Sequence, residues 1–352
     1  MRIVLKASVI SFLFAWSSLG LAATNYWTGA TNGDWFNTNN WSLTNFPAAG
    51  DDVVITNAGA NVLLTNSTPY LSSLTLSNKT LTVSNGVTQI LATNIFIYNA
   101  ATVTVSSVYA TNGVAADQMS NQVYIACSNF TLDAGGVINA NGLGYAGGVG
   151  GGYGPGGGGS GSYGGGGAHG GQGGVGNGGA AGITNDNPSI PVYPGSGGGY
   201  CTANSLLGGS GGGLVTIQAP SGTVTVNGTV TANGNDANRA GAGAGGGVYI
   251  NCLTFGGSPN GRLSARGGST IYGGGGGGGG RIAVWVDVPR NIRNRYVANT
   301  NDNRAVARAN NWPQFEGTIA VTNGTGYQGG NPGTFLFFKY IKNGTQFSVS
   351  GP

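Results

Sequence analysis

Half of the arginines in this chain stand in one short stretch. Arg290, Arg293, Arg295, Arg304 and Arg308 fall between Asp287 and Glu316, in a chain where charged residues are only 7% of the total. A planar guanidinium matches carboxylate, sulfate or phosphate oxygens through paired hydrogen bonds. The cluster therefore points to an anionic polysaccharide or a lipid head group, set against the plainer reading of a solvated loop. No aromatic platform of the kind that stacks bases is interleaved with it, so nucleic acid is not the expected partner.

The other chemistry-bearing residues are few. There are nine Asp and one Glu. Asp51 and Asp52 are adjacent, and neighbours on a strand point to opposite faces, so they read as a turn before Val53 and not as a carboxylate pair. Asp133, Asp236 and Asp287 are dispersed and make no calcium cluster. His169, the single histidine, sits inside the glycine run Gly164–Gly174, away from any strand pattern. It forms neither a base–nucleophile arrangement nor a metal set. Cys127 and Cys252 share a strand face with Val123, Ile125, Val248 and Ile250, which places them in a core. Stacked in chain order, with Ala219 at the step between, they stand roughly 9.6 Å apart, beyond disulfide reach. They are expected to be buried free thiols. Cys201 lies in a glycine tract without an evident partner. No catalytic residue, metal or cofactor is expected from these residues.

The elements that must position these groups are repeats. Val215, Ile217, Ala219, Val230, Ala232 and Gly234 recur 33 residues later as Val248, Ile250, Cys252, Leu263, Ala265 and Gly267. Val123, Tyr124, Ile125, Cys127, Phe130, Gly136, Ala140 and Gly142 recur 125 residues later, from Val248 to Gly267. Each unit reads as an alternating strand, a turn, a second strand and a glycine run. A fourth unit begins at Ile282 and resumes at Gly317–Val321; a fifth begins at Phe335. Nearer the N-terminus, Val53, Leu74 and Ile95 lie 21 apart. Short strands and turns at fixed spacing predict a β-solenoid, here an all-β, single-stranded right-handed parallel β-helix. Long insertions leave it at 143–213 and 287–316. In the first, 33 of 71 residues are Gly, which fits either a flexible skirt or packed extended chains; Tyr145, Tyr153, Tyr163 and Tyr200, spaced through it, favour order. The one helical turn expected lies between Asn303 and Asn311.

The N-terminus reads as an address. Arg2 and Lys6 precede an apolar run from Ala7 to Leu21, followed by Ala22 and Ala23, as in a signal peptide cleaved after Ala23. The chain then divides into residues 1–23, a Trp- and Asn-rich cap over 24–52, irregular rungs over 53–122, and glycine-rich rungs over 123–352. Removing Arg2 and Lys6 leaves twelve bases against ten acids, too even a balance to attract nucleic acid. No second apolar run is long enough to span a membrane.

Three segments then support a comparison. Arg281–Val284 after a glycine run, Phe315–Ile319, and Gly329–Phe335 resemble the glycine-rich repeats of secreted bacterial parallel β-helix proteins of the pectin-lyase-like and adhesin kind. The opening Trp41-Ser42, Pro47 and Asp51–Ile55 is similar to the start of such chains. The resemblance implies a secreted protein in the medium or at a bacterial cell surface, structural or adhesive, with cell-surface or extracellular polysaccharide as partner. Its enzymatic members imply the alternative, a lyase or hydrolase cutting acidic polysaccharide along the side of the helix. Such enzymes use a His with several Asp, or clustered acids with a basic residue, and the acids that would match are missing here. The expectation is therefore a non-catalytic glycan-binding protein, with the five arginines as the binding residues.

Overall fold

The computed structural model describes residues 22–56, 59–84, 86–106, 122–298, 306–309 and 311–340. Strands take 39% of the chain and helix 4%, so the fold is mostly β. In chain order the strands are β1 (Thr24–Tyr26), β2 (Asp52–Ile55), β3 (Val62–Leu64), β4 (Leu71–Ser77), β5 (Thr80–Val83), β6 (Gln89–Tyr98), β7 (Thr102–Val105), β8 (Gln122–Leu132), β9 (Val137–Asn139), β10 (Leu214–Val226), β11 (Thr229–Thr231), β12 (Ala237–Asn238), β13 (Gly247–Gly256), β14 (Arg262–Ser264), β15 (Thr270–Ile271), β16 (Arg281–Val286), β17 (Val306–Ala309), β18 (Thr318–Ala320) and β19 (Thr334–Tyr340).

One large sheet runs β1-β2-β4-β6-β8-β10-β13-β16-β19 in parallel, with β17 added antiparallel on β19. A second parallel sheet runs β3-β5-β7-β9-β11-β14-β18. In both, spatial order follows chain order, so each strand stacks on its counterpart one unit earlier. The arrangement is compatible with a β-solenoid. The repeat spacings are the register itself. Val53 pairs with Leu74 and Leu74 with Ile95, 21 residues apart. Val123 pairs with Val215 and Val215 with Val248, so the 125-residue match spans two steps and the 33-residue match one.

Period-two alternation sends every second side chain inward. In β10 the inward residues are Val215, Ile217 and Ala219, then Val224 and Val226. The parity changes because the register breaks between Ala219 and Thr223, at a corner made by Pro220, Ser221 and Gly222. Val230 and Ala232 complete a third inward run. These residues form one core with their counterparts in the other units. At its N-terminal end Trp27, Trp35 and Trp41 are buried, with Trp41 edge-on to both others at 5.0 and 4.8 Å. The tryptophans expected to cap the stack are packing residues, not an exposed sugar platform.

On the outer face of the first sheet a second apolar cluster forms late in the chain. Trp285 stacks on Phe338 at 4.1 Å, and Tyr296 meets both edge-on. Tyr296 belongs to a helix, α1 (Arg290–Ala298). Pro289 precedes it, and its fixed φ suits a helix start. Ile292 and Tyr296, four apart, share the face that packs on the sheet. This corrects the helix expected between Asn303 and Asn311. Val306–Ala309 is instead β17, whose backbone occupies the edge of β19 that would otherwise be unpaired.

The glycine insertion is a bundle of packed extended chains. Over residues 241–246 the backbone hydrogen bonds repeat every three residues. Gly241 and Ala244 donate to Gly199 and Ser196, Ala242 and Gly245 to Gly275 and Gly278, and Gly243 and Gly246 to Asn235 and Ala232. Residues 275–280 do the same: Gly275 and Gly278 donate to Gly164 and Gly167, Gly276 and Gly279 to Gln328 and Asn331, and Gly277 and Gly280 to Gly268 and Ala265. Three residues per turn with no bond inside the segment is polyproline-II geometry. Successive N–H groups point to different neighbours, so the segments knit sideways in several directions. The short glycine runs of three units and the long insertion therefore form one body. Glycine is required by contact: a β-carbon on Gly241 would strike the Gly165 carbonyl, and one on Gly199 the Gly159 carbonyl.

Candidate glycan-binding cleft

The two insertions meet on the outer face of the first sheet. Tyr124 of β8, Thr216 of β10 and Tyr249 of β13 occupy one register position on three successive strands. Alternation turns all three outward, and the small Thr216 leaves a trough between two tyrosines about two strand steps, or ~9.6 Å, apart. Gln122 and Gln218 flank it, and Ile190, Pro191 and Val192 of the first insertion form its wall, enclosing a cleft of about 260 Å³. Gly247 lets that wall approach, since a β-carbon there would lie 3.3 Å from Pro191 Cβ and 2.7 Å from Leu214 Cδ1. The Asn251 amide donates to Gln218 Oε1 at 3.0 Å, which fixes the orientation of that amide.

The second insertion supplies charge. Burial pushes the phenols of Tyr124 and Tyr249 up, while the positive charge of Arg293 on α1 pulls both the other way. Arg293 therefore lies within electrostatic range of both tyrosines, although it is not among the residues that line the cleft. Its Nε is buried without a hydrogen-bond partner. Among the other predicted arginines, Arg290, Arg295 and Arg308 are exposed to solvent, and Arg304 lies outside the described residues. The structure thus brings one of the five within electrostatic range of the cleft, and none of the four described ones into its lining.

The wall is clamped from behind by a buried polar knot. Asp186 Oδ2 accepts from the backbone N–H groups of Val192 at 2.9 Å and Tyr193 at 3.1 Å. His169 Nε2 reaches the same oxygen at 3.1 Å, and both side chains are almost fully buried. His169 Nδ1 lies 3.1 Å from the carbonyls of Gly245 and Gly246, so the histidine ties the wall to the glycine bundle. Arg281 donates from Nε and Nη2 to the Asn185 carbonyl, and Trp285 Nε1 donates to Ser189 O at 2.7 Å. His169 is a positioning residue. The partner acid was not visible in sequence, because Asp186 is 17 residues away in a stretch without periodicity.

Chemically the cleft offers hydroxyls, amides and aromatic faces, with the positive charge of Arg293 in range of its phenols. Its lining contains no carboxylate or imidazole. The phenols resist ionisation, which disfavours them as bases. A raised thiol pKa likewise marks Cys127, pushed up to about 12 by burial, as a packing residue. Cys127 and Cys252 are buried free thiols. Ala219 pairs with Cys252 and Gln218 with Ala126, which puts Ala219 between them. Cys201 is buried and free, with Sγ 3.0 Å from Ser162 O. Among the described residues no group of His, Cys, Asp or Glu is arranged to hold a metal ion, and no helix is long and apolar enough to cross a membrane. Asp51 and Asp52 act separately: Asp51 accepts from the N–H of Ala48, and Asp52 from the Ser73 hydroxyl.

The repeats contained a signal for the two tyrosines. Tyr124 and Tyr249 recur at the 125-residue spacing on the outward parity, where a repeated aromatic is not needed for the core. Thr216, Gln218 and the wall carried no such mark.

Comparison with protein-family models, curated proteins and solved structures gives no match to this chain.

Proposed function

We propose that this is a secreted, non-catalytic surface protein, a right-handed parallel β-helix that binds polysaccharide in the cleft between its two insertions. The observation that carries the reading is the shared lining of Tyr124, Thr216, Gln218 and Tyr249, with the positive charge of Arg293 in electrostatic range of both phenols. Aromatic faces pack on sugar rings, amides and hydroxyls exchange hydrogen bonds with ring hydroxyls, and Arg293 adds a charge-assisted bond to an acidic substituent. The absence of a carboxylate or imidazole from the lining supports binding over cleavage. The signal-peptide pattern and the low charge of the chain fit an extracellular setting.

The test is equilibrium binding of the purified chain to a panel of neutral and uronic-acid oligosaccharides. Arg293→Ala is expected to weaken the acidic ligands about 10-fold or more, the scale of a hydrogen bond to a charged group. Arg290→Ala and Arg295→Ala are expected to change little. Release of unsaturated or reducing ends above the buffer control would overturn the non-catalytic reading in favour of a polysaccharide lyase or hydrolase.

A further inference from the structure

The first described residues of the chain carry a contact to a carboxylate. Ala23 donates its backbone N–H to Asp51 Oδ1 at 3.2 Å, and its carbonyl accepts from the N–H of Asp52 at 2.9 Å. It thereby extends the pairing of β1 on β2, where Thr24 lies beside Asp52. Asp51 is itself fixed. Its other oxygen accepts from Ala48 N–H at 2.8 Å, and its carbonyl accepts from Ser72 N–H at 2.9 Å. Ala23 is therefore part of the folded body, while Ala22 before it is exposed. Cutting after Ala23, as expected from the run of small residues, would delete both bonds and leave Leu21 three positions before the cut. Cutting one bond earlier leaves Gly20 and Ala22, both small, at the two positions where signal peptides need small side chains.

We infer that the leader is cut between Ala22 and Ala23, and that the amino group so released pairs with Asp51. The hydrolysis breaks the Ala22–Ala23 amide with one water, giving the Ala22 carboxylate and the Ala23 amine, which takes up a proton. At neutral pH an α-amino group is largely protonated, with a pKa of roughly 7.7–8.0. An N–H···carboxylate bond with one charged partner thus becomes an ammonium–carboxylate ion pair, which adds the attraction between two opposite charges. Processing and completion of the cap are then one event: the first strand acquires its strongest tether only in the mature chain.

This rests on the export reading, and the experiment separates the two. The full-length precursor is expressed in a bacterial host, and the intact mass and N-terminal sequence of the exported product are measured. A chain beginning at Ala23 is expected. A chain beginning at Thr24 or elsewhere overturns the inference while leaving export intact; a chain retaining Met1 overturns both. Three mature chains beginning at Ala22, Ala23 and Thr24 are then compared by thermal unfolding at neutral pH. The Ala23 chain is expected to have the highest midpoint, because the Ala22 chain carries its ammonium past Asp51 and the Thr24 chain lacks both bonds. In an Asp51→Asn background the advantage of Ala23 over Ala22 is expected to vanish. Equal midpoints for the Ala22 and Ala23 chains in the unaltered background would overturn the pairing.

Discussion

The β-stack and the glycine bundle are two different solutions to compactness within one chain. In the stack, backbone bonds run from unit to unit, and inward Val, Ile, Leu and Phe fill the space between the sheets. In the bundle, backbone bonds leave each segment in several directions, and almost no side chains intervene. Apolar burial stabilises the first; dense amide hydrogen bonding holds the second, where ordering glycine costs more entropy than ordering any other residue. The comparison explains where the cleft lies. An outward strand face alone is a flat surface. The bundle holds a wall against it, through His169 and Asp186, and α1 brings the charge of Arg293 within electrostatic range of the floor.

If the two regions are held differently, they should fail differently. The largest loss is expected in the stack. Phe255→Ala removes a fully buried ring that contacts Phe315 at 5.3 Å and Phe337 at 5.9 Å, and should cost about 3–5 kcal/mol by chemical denaturation. In the bundle, Gly199→Ala adds only one carbon. That carbon meets the backbone of Gly158 and Gly159, which cannot rotate aside as a side chain can. A cost of about 1–3 kcal/mol is expected, as for other overpacking. Hydrogen exchange distinguishes the two. Gly199→Ala should release amides of 159–167 and 241–246 while those of β4 and β6 stay protected. Uniform loss across the chain would mean that stack and bundle unfold as one unit.

The two regions also differed in how far they were legible. Side-chain alternation revealed the stack, because Val215, Ile217 and Val230 recur wherever a core must be filled, and the 33- and 21-residue spacings are the observed register. The bundle has an equally strict period of three, but its periodicity resides in the direction of N–H groups. Glycine bears no side chain to display it, so in sequence only the spaced tyrosines favoured order over flexibility. The cleft was half legible for the same reason. Its floor is repeated strand, where Tyr124 and Tyr249 recur. Its wall depends on the Asp186–His169 contact, which spacing does not encode. α1 was missed because only Ile292, Tyr296 and Val297 mark an apolar face among three arginines and two asparagines.

Alkaline pH should act on the stack through its core thiols, Cys127 and Cys252, both pushed up by burial. An ordinary thiol titrates near 8.5, whereas burial pushes Cys127 up to about 12. The folded state therefore keeps its proton where the unfolded state loses it. The stability this contributes is fully present below about pH 8.5 and is lost as pH rises toward 12. Tyr145 behaves alike, from an ordinary value near 10 up to about 12. Denaturation midpoints should fall from about pH 8.5 upward, and Cys127→Ala should flatten the first part of that slope. A slope unchanged by the substitution would show that the thiol is already ionised in the folded chain.

The smallest effect expected is a gain, and it sharpens the contrast most finely. Gly150 lies in the same insertion as Gly199, yet it is exposed, and a β-carbon there would meet nothing within 4 Å. Its φ lies outside the left-handed range that disfavours alanine. Gly150→Ala should therefore stabilise by roughly 0.4–1 kcal/mol, because alanine has less freedom to lose when the chain orders. Gly199→Ala makes the same chemical change and should have the opposite sign. If composition alone governed the tract, as in a flexible skirt, the two substitutions would be interchangeable. Opposite signs in matched denaturation curves would show that bundle glycines are held by their contacts, and equal small effects would place the tract outside the cooperative fold.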